Sequence, residues 1–366
     1  MQRLTSEEFV ALATQNSDSY WFAPAFTTLS KAFYADKMVH GLLLVSPEMS
    51  GKAEFAAKLS KSILCNASSG VQLAKPNLEN NTAAVEAELN QRQIGYSCNQ
   101  CKSCQLFNSG SHPDLYFNDR LLNKQGKVKQ NISIDQIRLL TDKLSSTAQM
   151  NGWRIGVIAS VEKLSRGAFN ALLKSLEEPG QQTLLILLVN QFYRVPQTIR
   201  SRCQKLTFDL NSKQLVPWLM RQTQCDIATA EDAIKHTESA PLAAKVFIEN
   251  GSADDYSQLS RDLDSLLNNQ LSPQQVFSQH KHLDEQLWRY MANYFTQVPL
   301  KRLTDPLSPY AKLPKTSAFD LYNQLLQYHK GQSLGSNLQF QLQIESILNH
   351  WFEIGRKIVH YSNHTH

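Results

Sequence analysis

Charge is scarce in this 366-residue chain: Asp, Glu, Lys and Arg together make up 19% of it, below the usual quarter or so. No long block of one sign occurs, which argues against a disordered, charge-extended protein. Cysteine is scarce too. Six in 366 residues are too few for a disulfide scaffold. Long apolar runs are missing: Leu184–Val189 (LLILLV) is the longest kind present, far short of the roughly 20 residues that span a bilayer. The opening MQRLTSEEFVALATQNSD lacks the charged-then-apolar make-up of a secretory leader. The expectation is a soluble cytoplasmic protein, away from any membrane, with reduced thiols. A net charge of +5 permits contact with nucleic acid without requiring it.

What is present is an alternation. Short apolar runs at Gly41–Val45, Asp114–Phe117, Arg154–Ala159, Leu184–Val189 and Lys205–Phe208 are separated by amphipathic stretches at Gly51–Leu64, Ile134–Ser145 and Ala168–Leu176. Apolar strands separated by helices predict a five-stranded parallel sheet covered on both faces. After Phe208 the texture turns helical. Leu215–Arg221, Ala228–His236 and Ala243–Glu249 form a small helical unit, and Asp254–Asp255 reads as a linker. Several helices follow, the last with Leu338, Phe340, Leu342, Ile344, Ile347, Leu348, Trp351 and Phe352 on a wide apolar face. The fold class is therefore α/β followed by all-α. The expected domains are 1–208, then 209–253, then 254–366. The polar stretch 66–95 reads as an insertion or loop.

Four constellations carry chemistry. The first, HGLLLVSPEMSGKA (His40–Ala53), has the layout of a phosphate loop: apolar strand, small-residue turn, then Gly-Lys opening a helix. A working loop is G-x-x-x-x-G-K-[ST], whose hydroxyl ligates Mg²⁺. Here Ser46 stands at the first glycine and Ala53 at the hydroxyl position, while Gly51 and Lys52 remain. An alanine cannot hold Mg²⁺, so a strand–turn–helix without nucleotide chemistry is expected and no ATP cofactor. The second is the end of the third strand, where a phosphate-loop ATPase needs an acid for Mg²⁺ and a catalytic Glu. Those positions are Ala159 and Ser160; Glu162 comes two residues late.

The third is Cys98-x-x-Cys101-x-x-Cys104, with Cys65 closing the helix after the loop. Four thiolates make a closed tetrahedral zinc site with no position for a substrate. Gln105–Asn108 supplies no further cysteine for an iron–sulfur cluster. Cys203 and Cys225 compete for the fourth ligand position but read as free core thiols, so Cys65, Cys98, Cys101 and Cys104 are the expected ligands. The fourth is Ser201-Arg202-Cys203, just before the fifth strand. Alone, Arg202 reads as a solvated surface residue. In an oligomeric ATPase an arginine here reaches the neighbour's γ-phosphate, an effect worth about 10³–10⁵ in rate.

Taken in order, HGLLLV-SPEMSGKA, Cys65, CNQCKSCQLFNSGSHPDLYF, SIDQIRLLTDKL, GVIASVEKLSRGAFNALLKSLEEPG, LLILLVNQ and TIRSRCQKL closely resemble the bacterial DNA polymerase III clamp-loader subunits. The likeness runs through 40–208 apart from the insertion; NALLKSLEEP and SRC are its most specific parts. The resemblance implies an AAA+ core over 1–208 with a zinc module at 65–104 and the insertion at 66–95. It further implies a small lid domain at 209–253 and a C-terminal collar domain at 254–366. Within the family, gamma and tau subunits keep an intact phosphate loop and an Asp-Glu pair, whereas delta-prime subunits lack a functional site yet keep zinc and SRC. Ser46, Ala53, Ala159 and Ser160, with Leu242 at about the lid position where the ATPases carry Arg, resemble the delta-prime pattern; Asn190 stands at the sensor position of the fourth strand. The implied role is a non-ATPase part of the polymerase holoenzyme. It would act beside gamma or tau and delta, with the sliding clamp and primed DNA as further partners. Arg202 would act in trans and do nothing within its own subunit. The alternatives are an ATPase that uses Lys52 with substituted Mg²⁺ ligands, and a zinc-ribbon nucleic-acid binder working alone.

Overall fold

The computed structural model describes residues 3–14, 19–66, 97–150, 152–237, 239–281 and 340–362, together with Met291, Tyr294, Phe295, Asp320, Asn323 and Gln324. The expected insertion lies almost wholly outside these residues, as does Leu338. By internal contacts the chain divides into two units, one of residues 1–218 with 238–243, the other of 219–237 with 244–366.

The first unit opens with α1 (Ser6–Leu12), started by a capping box in which Thr5 and Glu8 satisfy each other's backbone N–H groups, and α2 (Ala23–Tyr34). Then come β1 (Gly41–Val45), α3 (Lys52–Leu64), α4 (Lys102–Asn108), β2 (Leu115–Asn118), α5 (Ile134–Ser145), β3 (Arg154–Ile158), α6 (Arg166–Glu177), β4 (Thr183–Val189), α7 (Gln197–Arg200) and β5 (Gln204–Thr207). The five strands form one sheet in the order β2-β3-β4-β1-β5, parallel throughout. All seven residues of β4 and the first four of β1 are buried, because helices cover both faces of a parallel sheet. Leu43, Leu185 and Leu187 join α5 and α6 through Leu140, Leu144, Leu172 and Leu176 in one core cluster. On the other flank, Phe22, Phe26, Phe55 and Phe208 make a chain of ring contacts 4.4–5.4 Å apart.

Helices continue with α8 (Ser212–Thr223), α9 (Ile227–His236), α10 (Pro241–Glu249), α11 (Ser252–Leu267), α12 (Pro273–His280) and α13 (Phe340–Ser362). Asp254 and Asp255 are not a linker. They sit in the first turn of α11, where the partial positive charge of a helix N-terminus favours acids. In the second unit α11, α12 and α13 pack on one another around Trp351, which is fully buried and donates its indole N–H to the Leu263 carbonyl at 3.0 Å. Ile344, Ile347, Leu348 and Trp351 face this core, whereas Leu342, expected on the same stripe, is 57% exposed.

Candidate functional site

The loop between β1 and α3 folds onto itself. Gly51 takes φ +91° in the left-handed region, and a Cβ there would come within 2.8 Å of the Phe22 ring. Glycine is therefore required twice, by backbone angle and by space. Lys52 opens α3 and points back: its Nζ donates to the carbonyls of Ser46 at 2.8 Å and Pro47 at 2.7 Å. The side-chain hydroxyls of Ser46 and Ser50 lie 2.5 Å apart. The Trp21 indole donates to Ser50 O at 3.2 Å, and the Leu242 N–H to Met49 O at 3.1 Å. Leu242 thus reaches the loop through its backbone, with no guanidinium at that place.

Burial pushes the Lys52 pKa down from 10.5 to about 8, against the pull of Glu162 and Glu48. Glu162, in the turn after β3, is pushed the opposite way by burial, with backbone hydrogen bonding, Asn190 and Lys52 all resisting. Lys52, Glu162 and Asn190 therefore form one electrostatic group at the carboxyl ends of β1, β3 and β4. Ala53 is the second residue of α3 and brings no hydroxyl. Ala159 follows β3 and donates its N–H to Asn118 O at 2.9 Å; Ser160 beside it is buried. A cavity of about 550 Å³ opens at the ends of β1, β4 and β5, lined in part by Ser46, Asn190, Gln191, Phe192 and Phe208.

The second site lies at the far end of α3. Cys65 caps that helix, Cys101 caps α4 by accepting the Cys104 N–H, and Asn99 takes the left-handed conformation between Cys98 and Cys101, which Asn tolerates. The four Sγ atoms of Cys65, Cys98, Cys101 and Cys104 all lie within 4.8 Å of one another. Cys65–Cys98, Cys98–Cys104 and Cys65–Cys101 are 3.5, 3.9 and 4.0 Å apart. A tetrahedron with metal–sulfur bonds of about 2.3 Å has edges of about 3.8 Å, so the cluster fits a metal ion bound by four thiolates. Backbone amides reinforce it: the N–H groups of Cys98, Cys101 and Cys104 donate to Sγ of Cys65, Cys98 and Cys101 at 3.3–3.4 Å. Amides of Gln100 and Cys101 hold the Cys98 thiol below its usual pKa, favouring the ligating thiolate. Buried Lys61, one turn before Cys65, adds a positive charge that interacts with Cys104, Cys65 and Cys98. Ser103 donates to Leu64 O and lies 2.8 Å from His112 Nε2, tying the cluster to α3 and to the turn before β2.

Neither competing cysteine takes part. The Cys203 sulfur lies beside Gly41 and packs on the core cluster that includes Leu176, and burial raises its pKa to about 12, an inert thiol. Cys225 is half-buried in the connection after α8 and not in a core.

Arg202 sits in the turn between α7 and β5 with its side chain 36% exposed. It is not idle within its own chain: Nη2 pairs with Glu177 at 2.8 Å, and Nη1 donates to Thr198 O at 2.9 Å. Glu177, the last residue of α6, was not singled out by the sequence. Its signal was its place in NALLKSLEEP, but spacing along a chain does not show that this stretch and SRC meet.

The strand order, the Gly-Lys loop after β1 and the arginine before β5 define an AAA+-type α/β core carrying a tetrathiol cluster. A family model described as "DNA polymerase III, delta subunit" matches residues 77–212. The chain is 32% identical over 178 residues to DNA polymerase III subunit delta' of Pseudomonas aeruginosa, covering 48% of this chain and 53% of that protein. It is 28% identical over 225 residues to the Escherichia coli K12 subunit of that name, covering 61% and 59%. DNA polymerase III subunit tau of Bacillus subtilis matches at 28% over 189 residues, 52% of this chain and 28% of that protein. A solved gamma subunit-related protein of Thermotoga maritima aligns with 90% of this chain and 99% of its own, at 15% identity and a TM-score of 0.43. The chain is similar to the DNA polymerase III delta' subunits, and its alignments span about half the length of those relatives.

Proposed function

We propose that this chain is a non-hydrolysing subunit of a clamp loader that places the sliding clamp on primed DNA. It stands beside gamma or tau ATPase subunits and the delta subunit in the cytoplasm. Residues 209–253 serve as its lid domain and 254–366 as its collar. The observation that carries the reading is the state of the phosphate loop. Lys52 is spent on the carbonyls of Ser46 and Pro47, and Ala53, Ala159 and Ser160 offer no pair of Mg²⁺ ligands. Arg202, by contrast, remains at the surface, available to a neighbour's ATP. The tau match alone does not separate a silent subunit from an ATPase; these residues favour the silent one. The four-cysteine cluster holds structural zinc, the ion that favours closed four-thiolate tetrahedra. Among the described residues no helix is long and apolar enough to cross a membrane.

Reconstitution tests the reading. Arg202→Ala in an otherwise unmodified complex should leave assembly and zinc intact and lower DNA-stimulated ATP turnover at least tenfold. Arg202→Lys should restore it only in part, because lysine lacks the planar fork that grips phosphate. Unchanged turnover with assembly confirmed would overturn it.

One observation favours a second reading, an ATPase of reduced ligand set: Lys52, Glu162 and Asn190 stand together beside the loop. Micromolar ATP binding to the isolated chain in a titration would establish it in place of the first.

A further inference from the structure

The two most distinctive stretches of the sequence meet at a single ion pair. Glu177 belongs to NALLKSLEEP and Arg202 to SRC, and Oε1 of the first lies 2.8 Å from Nη2 of the second. The rest of the guanidinium is anchored differently. Nη1 donates to Thr198 O at 2.9 Å and approaches Ser201 Oγ at 3.4 Å. One edge of the fork is therefore held by its own turn, and the other is given to an anion.

Two features set this pair apart from an ordinary surface contact. Glu177 is the last residue of α6, where unpaired carbonyls make a helix end partly negative and a carboxylate unfavourable. Local stability does not choose an acid there; a cation must sit beside it. The pair is also open to water, with side chains 36% and 50% exposed, so parting it costs little. A carboxylate presents to a guanidinium much the same oxygen acceptors as a phosphate does.

The geometry points to Glu177 as the resting seat of Arg202: an anion that occupies the free edge of the guanidinium until the terminal phosphate of a nucleotide on a neighbouring subunit displaces it. This rests on the trans-acting reading of Arg202. Glu177 then has two effects of the same sign. It holds Arg202 away from the phosphate, and its own charge repels that phosphate. It is a positioning residue, and only the side chains need move, since the Arg202 backbone N–H keeps its bond to Ile199 O.

Glu177→Gln removes the charge and keeps the shape. In the reconstituted complex with its ATPase subunits it should raise kcat/KM for ATP about 1.5- to 5-fold, the span that an exposed ion pair covers. The melting temperature of the chain should stay within about 2 °C. In the double variant with Arg202→Ala, turnover should match that of Arg202→Ala alone, because an empty seat has nothing to release. A rise that persists without Arg202 would overturn the proposal. So would unchanged or lower turnover in Glu177→Gln while Arg202→Ala still lowers it; the trans-acting reading would survive that outcome. No effect of Arg202→Ala would remove both.

Discussion

Raising the pH through the range in which most lysines stay charged should stabilise this protein, and Lys52 is the reason. The residue is 6% exposed, and burial brings its pKa from 10.5 to about 8 although Glu162 and Glu48 oppose the change. In the unfolded chain the same amine titrates near its usual 10.5. Between those two values the unfolded state carries a proton that the folded state has lost, so unfolding takes up a proton and stability rises with pH. Below about pH 8 both states are charged, and the folded protein bears the full cost of burying the ammonium. Above about 10.5 both are neutral and that cost is gone. At 1.36 kcal/mol per pH unit the interval corresponds to about 3 kcal/mol. The neutral amine still donates to Ser46 O and Pro47 O, so the loop keeps its ties. Groups elsewhere in the chain add their own pH dependence, common to the native sequence and to a Lys52 variant. The quantity to measure is therefore the difference in urea-unfolding free energy between the native sequence and Lys52→Met, from pH 7 to 10.5. That difference should move in favour of the native sequence by about 2–3 kcal/mol as the pH rises. A flat difference, or a Lys52 side-chain NMR titration near 10.5, would refute the reasoning. The same resonance reports on nucleotide: a phosphate beside the amine would draw its pKa back up. Under the proposed function millimolar ATP leaves it unmoved.

The remaining predictions concern the cluster and the loop. Reduced protein should hold about one zinc per chain. Cys101→Ser should lose it and expose the amides of α4 to hydrogen exchange, since a helix of seven residues is too short to persist unsupported, while β4 stays protected; iron in elemental analysis, or an unchanged α4, would refute this. Gly51→Ala places a Cβ 2.8 Å from the Phe22 ring at φ +91° and should cost about 1–3 kcal/mol in chemical unfolding. A midpoint equal to that of the native sequence would show that the loop relaxes more freely than its packing against Phe22 implies.

Most of the first unit was legible because its central strands β1, β3 and β4 are buried on both faces. Continuous apolar runs such as GLLLV and LLILLV have few other uses in a short segment, and β1 matches its expected bounds while β4 begins one residue early. Helix α5 also falls where its periodicity put it. Helix α1 was missed although Thr5 and Glu8 carry the capping-box spacing, because only seven residues follow and few of them are buried. Asp254 and Asp255 misled for a related reason: acids look like linker composition unless their position at a helix start is recognised. The three-cysteine run was legible by spacing. Cys65 was preferred to Cys203 and Cys225 on the same sequence grounds, and the fold turns the end of α3 toward α4, which brings its sulfur beside the other three. What no periodicity could supply was contact between distant side chains, and the candidate site depends on it at Lys52–Glu162–Asn190 and at Glu177–Arg202.

The retained Lys52 then has an explanation that needs no nucleotide. A tight loop carries carbonyls that no helix or strand pairs, and a buried carbonyl without a partner costs about 1–3 kcal/mol. A phosphate, itself an acceptor, could not answer them, so donors from the protein must. Here the lysine does so for Ser46 and Pro47, Trp21 for Ser50, and the Leu242 amide for Met49. Lys52 can thus serve as an internal tie of its loop, and a Gly-Lys pair by itself is weak testimony to ATP. An exposed guanidinium is under no such demand. Water would satisfy Arg202, and its pairing with a carboxylate at an unfavourable helix end is a feature that the packing of its own chain does not explain.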